Sequence, residues 1–387
     1  MLHYFHLVEY RGLLYIFGFL LVLPALIRFC YCIFFLFPLL RKAGKQSVIN
    51  QHNKEVTPVP ISVLICARNE ASNLKQYLPK VLMQQYPLFE VVVVNDASED
   101  DTIEVLNELK NKHHQLKVVS ISPSEKKGAG KRQALQKAIE TASYPYFLLT
   151  DADCFPASPL WIERMSAHFH LGKQIVLGYG PYIEGKGFLN KLVSYETLHT
   201  ALRYFSFANA GIPYMGVGRN LGYTRQLFES AGGFKEQMHL VSGDDDLLVN
   251  KAATRDNTAI EIHGDAFCYS QALSGWKEWY RQKARHLGVG KYYSFRHILV
   301  LGCFTLSDFL FYGMIIALFF ISKTPLLLTA LLLVSMILQF VFYYWATRLF
   351  KVKGITALIP VFDLLFPVYY IVFAPFMLTA KKISWKR

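Results

Sequence analysis

The chain has 387 residues, of which 53% are hydrophobic and only 18% are charged, whereas about 25% of the residues of an ordinary soluble domain are charged. This composition excludes a disordered chain, which needs low hydrophobicity and high charge, and it disfavours a plain soluble enzyme. Lys and Arg number 41 against 28 Asp and Glu, a net charge of +13. Much of this excess flanks apolar segments, where basic residues contact anionic lipid, so nucleic acid is not predicted as a partner.

Four apolar segments are long enough to cross a bilayer, which takes about 20 residues. They are residues 12–40, 298–321, 325–347 and 355–379. Arg28 lies late in the first segment, where it either snorkels toward an interface or faces a partner helix. The last segment contains Asp363 and several prolines, which favour a kinked or re-entrant element over a simple crossing.

These segments divide the chain into four predicted regions of an integral membrane protein. They are a membrane helix with its flank (1–45), a cytosolic catalytic domain (46–274), an amphipathic interfacial helix (275–297) and a C-terminal membrane region of two or three spans (298–387). Basic residues directly after the first apolar segment, Arg41, Lys42 and Lys45, predict that the catalytic domain faces the cytoplasm.

Short apolar runs alternate with helical patterns in the first half of the catalytic domain. The runs are 60–67, 90–94, 116–121 and 146–150, and the helical patterns are 71–85, 99–112 and 131–142. Continuous apolar strands alternating with helices predict an α/β fold with a mostly parallel sheet covered on both faces. Ligands of such sheets bind beyond the carboxyl ends of the strands, where this sequence carries Asp96, Asp151 and Asp153.

The acidic residues at these strand ends allow more than one interpretation. Asp151-Ala152-Asp153 is either a solvated turn or helix cap, or a pair of carboxylates that binds Mg²⁺ or Mn²⁺, the hard cations that suit a diphosphate. Asp96 is either an Asx-turn residue or an acceptor of hydrogen bonds from a nucleotide base or ribose.

Two further motifs follow in the second half of the domain. Gly243-Asp244-Asp245-Asp246 has three adjacent acids although one is enough to cap a helix, which favours a site where one carboxylate acts as a general base. Around 275–295, aromatic and basic residues interleave as in a helix at a membrane surface. Within it, Gln282 and Arg285 are three residues apart and can point together at a phosphate or a sugar.

As a set, these motifs resemble those of membrane-bound family 2 glycosyltransferases with a GT-A (Rossmann-like) catalytic domain, over about residues 58–290. The matching pieces are ICARNE (65–70), VVVVNDASED (91–100), Gly130-Lys131, DAD (151–153), GGF (232–234), GDDDL (243–247) and QKARH (282–286). The resemblance implies inverting transfer from a nucleotide-diphosphate sugar, with a UDP-sugar as the expected donor, and a requirement for Mg²⁺ or Mn²⁺.

The resemblance also assigns roles to particular residues. Asp151 and Asp153 are implied to hold the metal. Aligning Asp246-Leu247 with the end of the family's third acidic motif puts the base on Asp244, with Asp245 as the alternative if the register slips by one. The residues assigned to substrate binding are Ala67, Glu70, Asp96, Lys131, Asp151, Gln282 and Arg285.

One departure from the family pattern bears on the acceptor. Processive polysaccharide synthases of this family carry Gln-x-x-Arg-Trp, whose Trp stacks on the acceptor sugar, and here His286 stands in its place. We therefore expect a single transfer to a membrane lipid or lipid-linked acceptor, with a processive synthase as the alternative. A non-catalytic scaffold or transport component with a nucleotide-binding domain is an alternative of another class.

Overall fold

A computed structural model describes residues 20–48, 57–126, 131–234, 243–272, 275–321 and 325–378 of the chain. Gly130 of the Gly-Lys motif therefore lies outside the described residues. Among the described residues the strands are β1 Ile61–Ala67, β2 Phe89–Asp96, β3 Leu116–Ile121, β4 Tyr146–Asp151, β5 Cys154–Pro156, β6 Ile175–Leu177, β7 Leu221–Thr224, β8 Thr258–Ile260 and β9 Cys268–Ser270.

Seven of these strands form one sheet in the order β3-β2-β1-β4-β7-β6-β8. β3, β2, β1 and β4 pair in parallel, and β8 pairs in parallel with β6. β7 runs antiparallel to both of its neighbours, β4 and β6. The predicted α/β fold with a mostly parallel sheet is confirmed. β5 and β9 form a separate antiparallel pair, which brings the chain around residue 270 beside Asp153.

The helices connect these strands and then continue into the apolar C-terminal region. The first helix, α1, runs from residue 20 to residue 48. It contains the π-helical segment Tyr31–Leu36 and ends with the segment Phe37–Val48. The others are α2 Ala71–Leu82, α3 Thr102–Lys112, α4 Arg132–Thr141, α5 Trp161–His170, α6 Phe188–Asn209, α7 Arg225–Ser230, α8 Asp244–Ala252, α9 Trp276–Leu287, α10 Phe295–Ile321, α11 Pro325–Leu349 and α12 Ile359–Leu378.

Helix α2 ends earlier than the predicted helix at 71–85. Its last residue is Leu82, and the side-chain amide of Gln84 donates to the carbonyl oxygen of Lys80 at 3.1 Å. This contact satisfies one of the carbonyl groups that a helix leaves without a partner at its C-terminus, so the chain can leave the helix there.

Both faces of the sheet are covered, as its apolar strands require. All seven residues of β1 are buried. Ile61, Val63 and Ile65 pack into the same core as residues of α2, α3 and α5, whereas Leu64 and Cys66 point to the opposite core with residues of α4. Because side chains alternate across a strand, burial on both faces leaves the carboxyl ends of the strands as the open edge of the sheet.

In the described part of the chain, four helices are long and apolar enough to cross a membrane: Leu20–Lys45, Phe295–Phe320, Leu328–Leu349 and Thr356–Phe376. α12 continues as one helix of 20 residues through Pro367 and Pro375, a length of about 30 Å, enough to cross the hydrocarbon core. Helix α6 packs between the sheet and these helices. It contacts strand β8 of the sheet and the helices α1 and α12.

Charged side chains join three of the candidate membrane helices. The guanidinium of Arg28 (α1) contacts the carboxylates of Asp308 (α10) at 2.5 Å and Asp363 (α12) at 3.1 Å. Arg203 of α6 lies 3.6 Å from the other oxygen of Asp308. Of the two alternatives for Arg28, the structure shows the one in which it faces partner helices. The charges of the two arginines and the two aspartates cancel, as expected of ionisable side chains within a membrane.

Candidate active site

The acidic pair of the DAD motif lies at the open edge of the sheet. β4 ends at Asp151, opposite Cys66 of β1, and the chain then turns so that Asp153 precedes β5. Donor atoms of Asp151, Asp153 and Cys154 all lie within 4.8 Å of one another. The hydroxyl of Ser270 donates to Asp153 at 3.4 Å, so the β5–β9 pair holds the second carboxylate in place.

The two carboxylates differ in their electrostatic surroundings. Burial acts to raise the pKa of Asp151, but the ammonium of Lys131, with the guanidinium groups of Arg219 and Arg285, brings that pKa below its ordinary value. Lys131 Nζ donates to Asp151 Oδ1 at 2.5 Å. The pKa of Asp153 is raised, by its burial and by the negative charges of Asp151 and Glu70. Asp153 thus lies where another positive charge would be stabilising.

The donor set fits a divalent cation with oxygen ligands. Burial holds the pKa of the Cys154 thiol well above its usual value, so the thiol stays protonated, and it donates to Asp153 at 3.4 Å. The ligands that remain are the carboxylates of Asp151 and Asp153, and the Asp151 side chain keeps 40% of its surface open. Hard oxygen donors with room for further oxygen ligands suit Mg²⁺ or Mn²⁺.

A cavity of about 1800 Å³ opens in front of this pair. The predicted site residues that line it are Glu70, Lys131, Asp151, Asp153, Asp245, Gln282 and Arg285. They come from five separate parts of the chain, and the fold brings them to one space. The strand ends predicted the position of Asp151 and Asp153, whereas Glu70, Lys131 and the residues of α9 were assigned by the family resemblance.

Two of the predicted substrate-binding residues do not line the cavity in the described part of the chain. Ala67 is fully buried at the end of β1. Asp96 is only 1% exposed, and its Oδ2 accepts a hydrogen bond from Lys126 Nζ at 2.9 Å. Its other carboxylate oxygen is buried and has no hydrogen-bond partner among the described residues.

The three acids of the GDDD motif have separate surroundings. Asp244 is the first residue of α8, and its side chain lies outside the described part of the structure. Asp245 lines the cavity, and its carboxylate lies so close to Gly218 that a Cβ on that glycine would be 1.7 Å from Asp245 Oδ2. Asp246 accepts a hydrogen bond from the hydroxyl of Tyr293 at 3.3 Å.

The structure adds basic and acidic residues that the motifs did not indicate. Arg219 lines the cavity beside Asp151, with its guanidinium 4.3 Å from the centre of the Tyr182 ring. Burial opposes the charge of Arg219, but Tyr182 and other neighbours raise the pKa of its guanidinium above the ordinary value. Lys283 of α9 and Glu196 of α6 form a buried ion pair in the cavity wall. No local pattern marks Arg219 or Glu196, and the QKARH motif contains Lys283 without indicating its partner, which is distant in sequence.

The cavity does not end at the edge of the catalytic domain. Its lining continues to membrane helix α10, with Ile298, Leu301 and Leu306, and to α12, with Tyr370 and Phe376. Helix α9 packs on α12 through Trp279 and Phe373, whose ring centres are 5.6 Å apart. The acidic pair and the apolar membrane helices therefore border one continuous space.

Comparison with known families identifies the domain that carries the acidic pair. Residues 62–231 match the model of glycosyl transferase family 2. This part of the chain is a glycosyl transferase family 2 domain. The predicted family and the predicted enzyme class are confirmed for this domain, which contains the DAD motif and Arg219, while α8 and α9 follow it along the chain.

Named relatives of the family 2 domain are glycosyltransferases. The chain is 31% identical over 143 residues to a poly-β-1,6-N-acetyl-D-glucosamine synthase of Staphylococcus epidermidis, covering 36% of this chain and 33% of the relative. It is 31% identical over 194 residues to the glycosyltransferase AglE of Haloferax volcanii, covering 48% of this chain and 58% of the relative. The chain thus spans from a third to just over half of the length of these relatives.

A solved structure shares the fold. A mannosyltransferase from Pyrobaculum calidifontis, in complex with GDP-Man and Mn²⁺, aligns with a TM-score of 0.54 and 19% sequence identity over 90% of this chain and 99% of its own. The predicted GT-A architecture is confirmed by this similarity together with the family 2 domain.

Proposed function

We propose that this protein transfers one sugar from a nucleotide-diphosphate sugar, with inversion, to a hydroxyl group of a membrane lipid or lipid-linked acceptor. The observation that carries the proposal is the single cavity, which is bordered by the Asp151–Asp153 pair and by apolar residues of membrane helices such as Leu306. A soluble acceptor needs no such apolar wall. We also propose that the domain faces the cytoplasm, because the basic residues Arg41, Lys42 and Lys45 lie at the C-terminal end of the first candidate span.

The donor is proposed to bind at the edge of the sheet. Asp151 and Asp153 would hold Mg²⁺ or Mn²⁺, which supplies positive charge to the diphosphate when bound. Lys131, Arg219 and Arg285 are proposed to balance the negative charge that grows on the leaving diphosphate. A preorganised donor of this kind contributes about 3–4 kcal/mol to transition-state stabilisation.

The acceptor is proposed to be activated by Asp245. Its carboxylate takes the proton of the acceptor hydroxyl, the acceptor oxygen bonds to the anomeric carbon, and the bond from that carbon to the diphosphate oxygen breaks on the other face. The nucleoside diphosphate leaves with the electron pair. Asp245 is named here because its carboxylate lines the cavity; Asp244, the base that the family motif implies, has a side chain outside the described part of the structure and is the other candidate.

The test is a screen of nucleotide-sugar hydrolysis and transfer with the full chain in detergent and Mn²⁺. UDP- and GDP-sugars are supplied with a membrane lipid extract, and products are read by mass spectrometry. We expect a lipid carrying one added sugar, and loss of that product in Asp151→Asn. The control Asp256→Asn changes an exposed acid outside the cavity lining and should act as wild type.

Two outcomes would favour the other candidate functions. A ladder of long products would indicate a processive synthase, the function named for the relative from Staphylococcus epidermidis. Failure of every nucleotide sugar to react, or to shift the midpoint of thermal unfolding, would contradict the enzyme proposal and favour a non-catalytic component.

A further inference from the structure

The face of α10 that borders the cavity is a single stripe at membrane depth. Its members stand at positions i, i+3, i+4, i+7, i+8 and i+11, which places them on one side of a helix. They are Ile298, Leu301, Gly302, Thr305, Leu306 and Phe309. All belong to the candidate membrane span Phe295–Phe320.

This stripe is open rather than packed against protein. Ile298 and Leu306 are 41% and 57% exposed, and a Cβ on Gly302 would meet no heavy atom within 4 Å. In a membrane span, a surface that protein does not cover is met by hydrocarbon chains. The opening along Gly302 therefore connects the cavity with lipid.

The inner end of the same wall is polar. Arg203 donates to the hydroxyl of Tyr370 at 3.1 Å and to that of Thr305 at 3.4 Å, and Asp308 fixes the guanidinium from behind at 3.6 Å. Arg203 thus places a held cation beside Thr305 of the stripe, in the same cavity as the apolar side chains and the carboxylates of the catalytic domain. This polarity matches a molecule with a hydrocarbon tail and a polar head.

We propose that the lipid acceptor enters the cavity sideways from the bilayer, between α10 and α12, with its hydrocarbon chain along Ile298, Gly302 and Leu306 and its head group beyond Arg203. The inference rests on the proposed function and adds the route by which the acceptor enters and the position in which it binds. A large side chain at Gly302 would extend into this open space and obstruct the route.

The experiment blocks the opening and measures access of a lipid chain. Gly302→Phe is compared with Gly313→Phe, since Gly313 lies on nearly the same face of α10, is also exposed, and also has no heavy atom within 4 Å of a Cβ, but does not line the cavity. The full chain is reconstituted in dioleoylphosphatidylcholine vesicles with a long-chain alcohol that carries a diazirine in its chain. After illumination, labelled peptides are quantified by mass spectrometry.

We expect labelling of the cavity-facing residues Thr305, Phe309 and Tyr370 in wild type and in Gly313→Phe, and a loss of about tenfold in Gly302→Phe. Labelling of the lipid-facing residue Leu333 of α11 should stay equal and serves as the reference. Equal cavity labelling in Gly302→Phe and wild type would overturn the proposal, and so would an equal loss in both phenylalanine variants. If Gly302→Phe does not fold, Leu306→Trp fills the same opening and carries the same expectation.

A separate measurement distinguishes this proposal from the proposed function. The shift in thermal unfolding produced by nucleotide sugar and Mn²⁺ reports the donor site alone. If wild type shows cavity labelling without any such shift, the glycosyltransferase proposal fails and the lipid opening stands. If the shift is present and the cavity is never labelled, the opening fails and the donor site stands.

Discussion

Gly218 offers a way to move the proposed base without altering it. In Gly218→Ala the new Cβ would lie 1.7 Å from Oδ2 and 2.3 Å from Cγ of Asp245. An ordinary non-bonded contact needs about 3.5 Å, so the carboxylate must retreat by about 1.8 Å. The atoms in the way belong to the end of a flexible side chain, and Gly218 does not have a positive φ. The fold should therefore survive while the carboxylate leaves its position.

The expected effect is a loss of turnover with donor binding retained. A displacement of about 1 Å in a catalytic group can cost about 100-fold, and loss of a general base costs about 100- to 10,000-fold, so kcat in Gly218→Ala should fall by at least about 100-fold. The assay is sugar transfer to the lipid acceptor at saturating nucleotide sugar. The nucleotide-induced shift in thermal unfolding, which depends on Asp151 and Asp153, should remain.

A matched control is Gly290→Ala. Gly290 also lines the cavity, but a Cβ there meets no heavy atom within 4 Å, so this variant should keep wild-type turnover. If Gly218→Ala retained near-normal kcat, the position of Asp245 would not matter and the base assignment would be wrong. Asp244→Asn and Asp245→Asn would then be compared, since the two registers of the motif predict opposite results for them.

Three further expectations concern stability of the full chain in detergent. Glu196→Gln or Lys283→Met breaks a buried ion pair and should lower the free energy of unfolding by about 3–5 kcal/mol. Replacing both residues should lower it much less. A larger loss of stability in the double variant would argue against this. Thr224→Ala removes the N-cap of α7, where the hydroxyl accepts from Leu227 N at 3.1 Å, and should cost about 1 kcal/mol. Arg28→Met leaves two carboxylates without their shared cation and should lower the midpoint of thermal unfolding more than Thr224→Ala does.

The parallel half of the sheet could be predicted because its strands are buried on both faces. Runs such as Val91–Val94 are apolar throughout, and only a covered parallel sheet uses such runs repeatedly. The acids that follow these strands were therefore expected at one edge of the sheet. The antiparallel β7, with the sequence LGYT, is too short to show any period, so its place between β4 and β6 depends on long-range pairing that no local pattern carries.

The site was predictable to the same extent as the strands that present it. Asp151 and Asp153 follow β4 directly, and their meeting with Lys131 follows from the adjacent helix α4. Arg219 belongs to a loop without a recognisable pattern, and it reaches Asp151 only because β7 lies beside β4. The choice between Asp244 and Asp245 could not be made from spacing either, since two adjacent acids at the start of a helix differ only in the direction in which their side chains point.

The boundary predicted at residue 274 separates regions of sequence, but the cavity crosses it. Glu196 on α6 is paired with Lys283 beyond the boundary. Arg203, seven residues or about two turns further along α6, is held by Asp308 of a membrane helix. Because α6 is buried from several sides, it lacks the single apolar stripe that marks a surface helix, and its charges have partners only in the assembled chain. A fragment ending at residue 274 would lack the partners of both charges, Lys283 and Asp308. Helix α6 therefore joins the catalytic domain to α9 and to membrane helix α10 through these ion pairs, and under the proposed function the membrane helices form part of the site.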